Sequence, residues 1–222
     1  MSNAIYSARN AGIIFVASCG NNAVNIDASP RYPACYDVDN VVSVLATTRN
    51  DALWSLSNYG ATNADLGAPG EQIYTTWSPS DSFYTSLFSG TSLAAPYVAS
   101  TFALMLVKYP AERHQQIIAR VLNATDPLPS LAGKCVTGGR LNLRQALSPP
   151  LQLTIVSAPT NAPFQLRVAG GPNRTCVVEA SITLTNWAPI LTNVTSTNGT
   201  FDFADFDSTN ILRRFYRATA AP

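Results

Sequence analysis

The residue best suited to covalent chemistry in this sequence is Ser92. It follows Gly90 and Thr91 and opens a run of apolar and small residues that continues to Lys108. This pattern predicts a glycine turn and then a buried helix that begins at the serine. A serine hydroxyl at the positive end of a helix can act as a nucleophile, because negative charge that develops there is stabilised. The alternative is that Ser92 only caps the helix.

A serine nucleophile needs a base that takes its proton and donors that stabilise the oxyanion. The sequence contains one histidine, His114, in a polar stretch after the predicted helix. We expect His114 to be a solvated surface side chain and not a catalytic base. The motif also differs from the Gly-x-Ser-x-Gly elbow of α/β-hydrolases, because Ala94 stands where the second glycine would be.

Two continuous apolar runs, residues 13–18 and 41–46, indicate strands of a parallel sheet that is covered on both faces. The first run ends in a turn that contains Asn21. Sites in open α/β sheets form at the carboxyl ends of strands, so this turn is a candidate site edge.

Further elements are expected on both sides of these runs. Residues 55–60 and 66–70 have the asparagine, glycine and proline content of turns. The other predicted elements are a helix at 3–10 with Ala4, Ile5 and Ala8 on one face and Gly12 as its cap, a strand at 73–76, a hairpin at 83–88, a helix at 111–123 with Ile117, Ile118, Val121 and Leu122 inward, and a short helix that ends near Leu147.

Composition excludes some partners. The net charge is +1 and only 12% of the 222 residues are charged, with no basic run, so we expect no nucleic-acid partner. No segment is predicted to be long enough for a membrane span, so we expect no membrane association. The amino terminus also lacks the charged and then apolar pattern of a signal peptide.

The character of the sequence changes after residues 148–150, which read as a linker. Residues 1–147 carry the α/β pattern. Residues 151–222 contain short β-type runs separated by turn residues at roughly ten-residue intervals, the pattern of a small antiparallel β-sandwich. These runs are residues 151–157, 164–169, 176–180, 187–191, 200–206 and 215–219.

The four cysteines do not have the spacing of a zinc site. Cys19 and Cys176 fall in predicted strands and are expected to be small core residues. Cys35 and Cys135 fall in loops and are candidates for a disulfide in an oxidising compartment.

Four stretches, taken together, resemble the subtilisin-like serine proteases. They are Phe15-Val16-Ala17-Ser18-Cys19-Gly20-Asn21-Asn22, then Tyr32-Pro33-Ala34, then residues 55–60 with 66–70, and finally Gly90-Thr91-Ser92 with Ala95-Pro96. The resemblance covers about residues 3–147 and implies a partial three-layer parallel sheet with helices. It further implies a secreted endopeptidase that acts on polypeptides through an acyl-enzyme.

The resemblance also implies residue roles. Ser92 would be the nucleophile, and Asn21 would donate a side-chain N–H to the oxyanion. The walls of the specificity pocket would be formed by Ala17, Ser18, Cys19 and Gly20 on one side and by Pro33 and Ala34 on the other. Arg31, just before this loop, would favour acidic substrate side chains if it pointed inward, although such an arginine more often points to water.

Two family features are missing from the sequence. The family has an aspartate and a histidine before the oxyanion asparagine, and neither is present here. We therefore expect a fragment of a longer enzyme that is inactive alone. No cofactor is expected, although the resemblance allows a structural calcium ion at the carbonyls around Ala34 and Tyr36.

An alternative function is a non-catalytic binding module with a relic protease half. In that reading residues 151–222 bind a cell-wall or glycan ligand. Trp187 would be either a core anchor or a ring on which a ligand stacks.

Overall fold

The computed structural model describes residues 1–76, 78, 84–149, 151–159, 161–211 and 213–220. The chain divides into two compact units, Met1–Leu147 and Ser148–Pro222, which we call unit 1 and unit 2. Phe83, where the predicted hairpin begins, lies outside the described residues.

Unit 1 is a mixed α/β structure. Its elements are α1 (Ser2–Asn10), β1 (Phe15–Ser18), β2 (Val41–Thr47), β3 (Leu66–Pro69), β4 (Ile73–Thr76), β5 (Tyr84–Phe88), α2 (Thr91–Lys108), α3 (His114–Asn123), β6 (Asp126–Pro127), β7 (Gly139–Arg140) and α4 (Leu143–Leu147).

Strands β1, β2, β3 and β7 form a parallel sheet in that order, and β6 pairs antiparallel with β7 at one edge. The register sets Phe15 beside Val41 and Val44 beside Leu66. Strands β4 and β5 form a separate antiparallel hairpin. Because β1 and β3 point the same way, the turns that follow them lie at the same edge of the sheet.

Strand β2 is buried on both faces. Val44 belongs to a core cluster with Val98 of α2 and Ile117 of α3, so these helices pack on one side of the sheet. Leu45 points the opposite way, into a second cluster that includes Leu131 and is supplied mainly by loops. This double burial explains why residues 41–46 read as one continuous apolar run.

Strand β3 corrects the prediction of a turn at residues 66–70. Leu66, Gly67 and Ala68 are fully buried between β2 and β7 in the middle of the sheet. Glycine and proline usually mark turns, but here the small residues allow close packing. Pro69 is the last residue of the strand, so its missing N–H interrupts little of the ladder.

The helices lie near their predicted positions, but some of their starts and buried residues differ from the prediction. On α1 only Ile5 is buried, whereas Ala4 is exposed. Helix α3 begins at His114 and not at residue 111, and the backbone N–H of Arg113 donates to the side-chain oxygen of Gln116 at its start (2.9 Å). On α3, Ile117 and Val121 are buried and the two other predicted inward residues are half-buried.

Helix α2 is, among the described helices, the one that is long and apolar enough to cross a membrane by length and composition. The expectation that no segment approaches that length is therefore wrong on this measure. One side of α2 packs on the sheet through Val98, Phe102 and Met105, although only a third of the helix is buried. Helix α2 therefore packs on the core through one side, and its other side is exposed.

Unit 2 contains β8 (Gln152–Ser157), β9 (Phe164–Ala169), β10 (Thr175–Ser181), β11 (Ala188–Val194), β12 (Thr200–Asp205) and β13 (Phe215–Ala220). They form two antiparallel sheets, in the orders β11-β10-β13 and β12-β9-β8. Val168 of one sheet and Val178 of the other are buried in the same apolar cluster. Each predicted β-type run overlaps one of these strands, and the accessory β-sandwich stays a prediction.

Two neighbouring residues of α2 test this packing. Met105 is fully buried and Leu104 is 47% exposed. We expect Met105→Ala to lower the free energy of unfolding by about 2–5 kcal/mol, since it leaves a cavity in the core, and Leu104→Ala to change it by about 0.5 kcal/mol or less. Urea unfolding followed by circular dichroism measures both, and equal losses would contradict the orientation of α2.

Candidate functional site

Asn21 and Thr91 are joined by hydrogen bonds across the site edge of the sheet. Asn21 Oδ1 accepts from the Thr91 backbone N–H and from the Thr91 hydroxyl, each at 2.9 Å. The Thr91 oxygen in turn accepts from the backbone N–H of Gly20 at 3.0 Å. The turn after β1 is therefore bonded directly to the first residue of α2.

This arrangement orients the amide group of Asn21. With Oδ1 occupied, the donor Nδ2 faces the turn before Ser92, and a β-carbon at Gly90 would lie 3.1 Å from it. Asn21 and Ser92 are both exposed at this edge. No hydrogen-bond partner of Ser92 Oγ is found among the residues that the structure describes.

The backbone at the start of α2 adds a second donor. Leu93 and Ala94 N–H donate to the Gly90 carbonyl, and Thr91 N–H donates to Asn21. The N–H of Ser92 has no acceptor one turn earlier within the helix, because it belongs to the first turn. It therefore lies free beside the hydroxyl of the same residue, at the positive end of the helix dipole.

Asn58 braces the Asn21 turn, a role that the sequence did not reveal. Its amide nitrogen donates to the Cys19 carbonyl (2.8 Å), and its oxygen accepts from the N–H groups of Asn22 (2.9 Å) and Val24 (3.1 Å). Gly20 has φ +99°, and a β-carbon there would lie 2.6 Å from Asn58 Nδ2. The sequence predicts only that Asn58 lies in a turn, because no local pattern indicates that its side chain is buried.

The turn before Ser92 is anchored to β3. The Gly90 N–H donates to the Gly70 carbonyl at 2.7 Å. A β-carbon at Gly70 would lie 2.6 Å from the Ala46 β-carbon and 2.8 Å from the Gly90 carbonyl oxygen, so this approach requires glycine. This hydrogen bond thus fixes the position of the Ser92 turn relative to the end of β3.

The residues predicted to line a specificity pocket lie in two adjoining places. Ala17 on β1 is the register partner of Ser43 on β2, and the Ser43 hydroxyl donates to the Ala34 carbonyl. Ser18, Cys19 and Gly20 continue from Ala17, while Pro33 precedes Ala34 and is half-buried. Ser43 therefore links the two predicted walls, whose binding role stays a prediction. The Arg31 side chain is exposed.

The cysteines are free thiols in the structure. The candidate disulfide between Cys35 and Cys135 is therefore not present. Cys19 and Cys135 are buried in one apolar cluster, with half-buried Cys35 packed against it. Burial raises the pKa of Cys19 well above its ordinary value, so this thiol stays protonated. Cys176 is buried in unit 2, as expected of a small core residue.

His114 differs from the prediction of a solvated side chain. Its side chain is 9% exposed, and its Nε2 lies 3.8 Å from Asp39 Oδ1. Arg9 and Gln115 both donate to the Asp39 carboxylate, and these hydrogen bonds hold the pKa of Asp39 well below its usual range. The first turn of α3 therefore lies beside the ion pair of Arg9 and Asp39. His114 has no described contact with Ser92.

A second polar site surrounds Asp65. The Ser43 N–H donates to Asp65 Oδ2 at 2.6 Å, but burial outweighs this bond and raises the pKa of the carboxyl to about 6. Asp65 lines a cavity of 410 Å³ with Asp37 and with the residues of the expected calcium site, Ala34 and Tyr36. Most of the lining residues carry a side-chain oxygen, the type of ligand that calcium prefers, although no group of three acidic, histidine or cysteine residues is arranged for a metal in the described ranges.

Trp187 in unit 2 is not a core anchor. Its ring is half-buried, its Nε1 donates to the Leu184 carbonyl at 3.0 Å, and the Arg217 guanidinium lies 4.5 Å from the ring centroid. Arg217 also pairs with Glu179. A cation therefore already occupies one face of the indole.

The parallel sheet thus carries a serine in the first turn of a helix and an asparagine on the adjoining turn. Residues 1–150 match the sequence model of the subtilase family, peptidase family S8. The chain belongs to the subtilase family.

Several curated relatives match the same region. Thermitase of Thermoactinomyces vulgaris is 35% identical over 147 residues, which are 66% of this chain and 48% of thermitase. The extracellular serine proteinase of Thermus sp. (strain Rt41A) is 39% identical over 127 residues, which are 57% of this chain and 30% of that protein. The chain thus spans about half, or less, of the length of these relatives.

Solved structures show the same fold. The S218A mutant of the protease domain of PatA superposes with a TM-score of 0.54 at 27% identity, over 65% of this chain and 50% of that chain. The prenylagaramide maturation protease PagA gives a TM-score of 0.56 at 23% identity, over 66% of this chain and 54% of that chain. The likeness to PagA concerns the fold alone.

The hydrogen bonds of Thr91 lead to a first prediction for the site. Thr91→Val leaves the Gly20 N–H without its acceptor and Asn21 Oδ1 with one donor in place of two. We expect it to lower the free energy of unfolding by about 1–3 kcal/mol. Thr91→Ser keeps the hydroxyl and should cost less. Urea unfolding of both variants tests this, and a larger loss for Thr91→Ser would contradict it.

The pKa of Asp65 leads to a second prediction. A raised pKa in the folded state means that the unfolded state ionises first as the pH rises. Between pH 4 and pH 7 the wild type should therefore lose up to about 3 kcal/mol of stability relative to Asp65→Asn. The free energy of unfolding of both proteins is measured in EDTA across this pH range. The contributions of all other titrating groups are the same in both proteins and cancel in the difference. A difference that is independent of pH would be contrary evidence.

Proposed function

We propose that this chain carries the nucleophile and the oxyanion donors of a serine endopeptidase. Ser92 is the nucleophile, and Asn21 Nδ2 and the Ser92 N–H are the donors. The observation that carries the proposal is the pair of hydrogen bonds from Thr91 to Asn21 Oδ1, because they turn the amide nitrogen toward the Ser92 turn. Family membership supports a polypeptide substrate.

The chemistry is acyl transfer. Ser92 Oγ attacks the peptide carbonyl, its proton passes to a base, and the carbonyl oxygen takes up the negative charge. Donors already in place stabilise this charge without reorganisation. In subtilisin, which is a relative of this chain, loss of the corresponding asparagine lowers turnover about 10²–10³-fold.

The base is the component that the 222 residues lack. His114 is the single histidine, it is buried against Asp39, and it follows the nucleophile in the chain. We propose that the base and the aspartate that orients it come from a segment outside these residues, and that the chain alone is inactive. The match to only 48% of thermitase supports this proposal.

Three further expectations accompany the proposal. We expect a secreted protein, since two of the relatives are named as extracellular proteases. A structural calcium ion at the cavity beside Asp65 is supported by the oxygen-bearing side chains among its lining residues. Binding of a cell-wall or glycan ligand through residues 151–222 stays an alternative function, and the Arg217 cation on the Trp187 ring does not favour it.

A fluorophosphonate probe tests the nucleophile, because it reacts with activated serines. We expect no labelling of the 222-residue chain alone. A fusion protein supplies the segment with the base. It consists of the part of thermitase that does not align with this chain, joined through a flexible linker to Met1. Ser92 should become labelled in this fusion.

The variants complete the test of the nucleophile. Ser92→Ala should abolish labelling in the fusion, whereas Ser100→Ala, at an exposed serine on the same helix, should leave it intact. Mass spectrometry identifies the labelled site. Rapid labelling of the 222-residue chain alone would contradict the proposal that it lacks a base. Labelling of the fusion that persists in Ser92→Ala would contradict the proposal that Ser92 is the nucleophile.

A further inference from the structure

Unit 2 has an open side between its two sheets. In the described part of the chain, β11 is the last strand of one sheet and β12 the last strand of the other, so each has an unpaired edge. An unpaired edge offers free N–H and C=O groups to a further strand. On the other side of unit 2, β13 and β8 lie next to each other. Between β11 and β12 there is instead a cavity of about 280 Å³.

The walls of this cavity are apolar. Ile190 and Leu191 of β11 and Phe203 of β12 line it, and all three are half-buried and pack against the core cluster of unit 2. Ile190 is the extra residue of a β-bulge, since the residues on either side of it pair with consecutive residues of β10. Successive side chains of a regular strand point to opposite faces. The bulge therefore allows two neighbours to line one cavity.

The mouth of the cavity carries an aromatic ring and a carboxylate. Phe206 and Asp207 line the cavity just after the end of β12. Phe206 is 77% exposed, and the Asp207 side chain is 82% exposed. An exposed ring beside an exposed carboxylate suits a guanidinium or ammonium group, which stacks on the ring and pairs with the carboxylate oxygens.

Asp205 holds this turn in place and is itself fully engaged. Its side chain is 4% exposed, and its Oδ2 accepts from the Tyr216 hydroxyl and lies 2.8 Å from Arg214 Nε. Its Oδ1 accepts from the Asp207 N–H at 3.2 Å. The Asp207 carboxylate is only loosely paired, at 3.9 Å from Arg214. Of the two carboxylates at the cavity, Asp207 is therefore the one that can take a further cation.

We propose that this cavity and the free edge of β12 bind an extended polypeptide segment of another protein. An apolar side chain of the segment fills the cavity, and an arginine or lysine beside it pairs with Asp207. The segment adds a strand to β12, because β11 presents Pro189, which has no N–H to donate. This site is separate from the serine chemistry proposed above and does not depend on it.

A second copy of the chain fits this edge less well. A symmetric contact between two copies would pair β12 with β12. Residues 200–207 contain three aspartates and no basic residue, so such a pair would bring like charges together and would supply no cation to Asp207. The charge at the cavity therefore favours a different, basic partner.

Peptide selection on the whole 222-residue chain tests the proposal. Leu191 lies opposite the core residue Val178 in the register, so Leu191→Trp fills the cavity. Thr192→Trp, at the exposed next position, is the matched control. From a phage library of random heptapeptides, we expect the wild type and Thr192→Trp to enrich sequences with an apolar residue close to arginine or lysine by about tenfold, and Leu191→Trp not to enrich them. No such enrichment by the wild type, or equal enrichment by all three proteins, would overturn the proposal.

A charge reversal keeps the test decisive if Leu191→Trp does not fold. Asp207→Lys changes an exposed side chain, and Asp202→Lys is its control at an exposed position of β12 that does not line the cavity. Fluorescence anisotropy measures binding of a selected peptide and of its form with glutamate in place of the basic residue. We expect Asp207→Lys to bind the basic peptide about tenfold more weakly and to prefer the glutamate form, whereas Asp202→Lys keeps the wild-type preference. An unchanged preference in Asp207→Lys would count against the proposal.

Two other occupants are outcomes of the same set of variants. Self-association of the wild type in analytical ultracentrifugation that Leu191→Trp abolishes would replace the partner protein by a second copy. Retention on insoluble peptidoglycan that Leu191→Trp abolishes would replace it by a glycan. Either result overturns the proposal.

Discussion

The hydrogen bonds between Asn21 and Thr91 hold together two segments that are 70 residues apart in sequence. They require the end of β1 and the start of α2 to meet within a few tenths of an ångström. The parallel order of β1, β2 and β3 brings both segments to one edge, and the Gly90 N–H bond to Gly70 sets the second segment at the right level. The buried core under α2 then keeps the helix from sliding along the sheet.

Much of this arrangement could be predicted from sequence, because the relevant patterns are local. The continuous apolar run predicts β2, the glycine before an apolar stretch predicts α2, and the regularly spaced turn residues predict the strands of unit 2. Ser92 and Asn21 were identified from motif order. Their partners Thr91 and Asn58 were not, because a buried polar side chain that satisfies distant backbone groups has no local pattern of its own.

The errors have the same origin. Glycine and proline in residues 66–70 predict a turn from local preference, whereas burial between β2 and β7 makes this segment strand β3. The polar sequence neighbours of His114 predict a solvated side chain. In the structure its side chain is 9% exposed and lies beside Asp39, which comes from a different part of the chain. In both cases tertiary contacts outweigh local preference.

The bond between Gly70 and Gly90 determines where the length of the chain can change. It joins the two ends of the segment that contains β4 and β5, so the chain leaves the sheet and returns to it at neighbouring positions. Insertions or deletions within that segment change its reach and leave the Ser92 turn in place. We therefore expect a change of length within residues 71–89 to leave the Ser92 turn in place, whereas a side chain at Gly70 would collide with the Ala46 side chain and the Gly90 carbonyl.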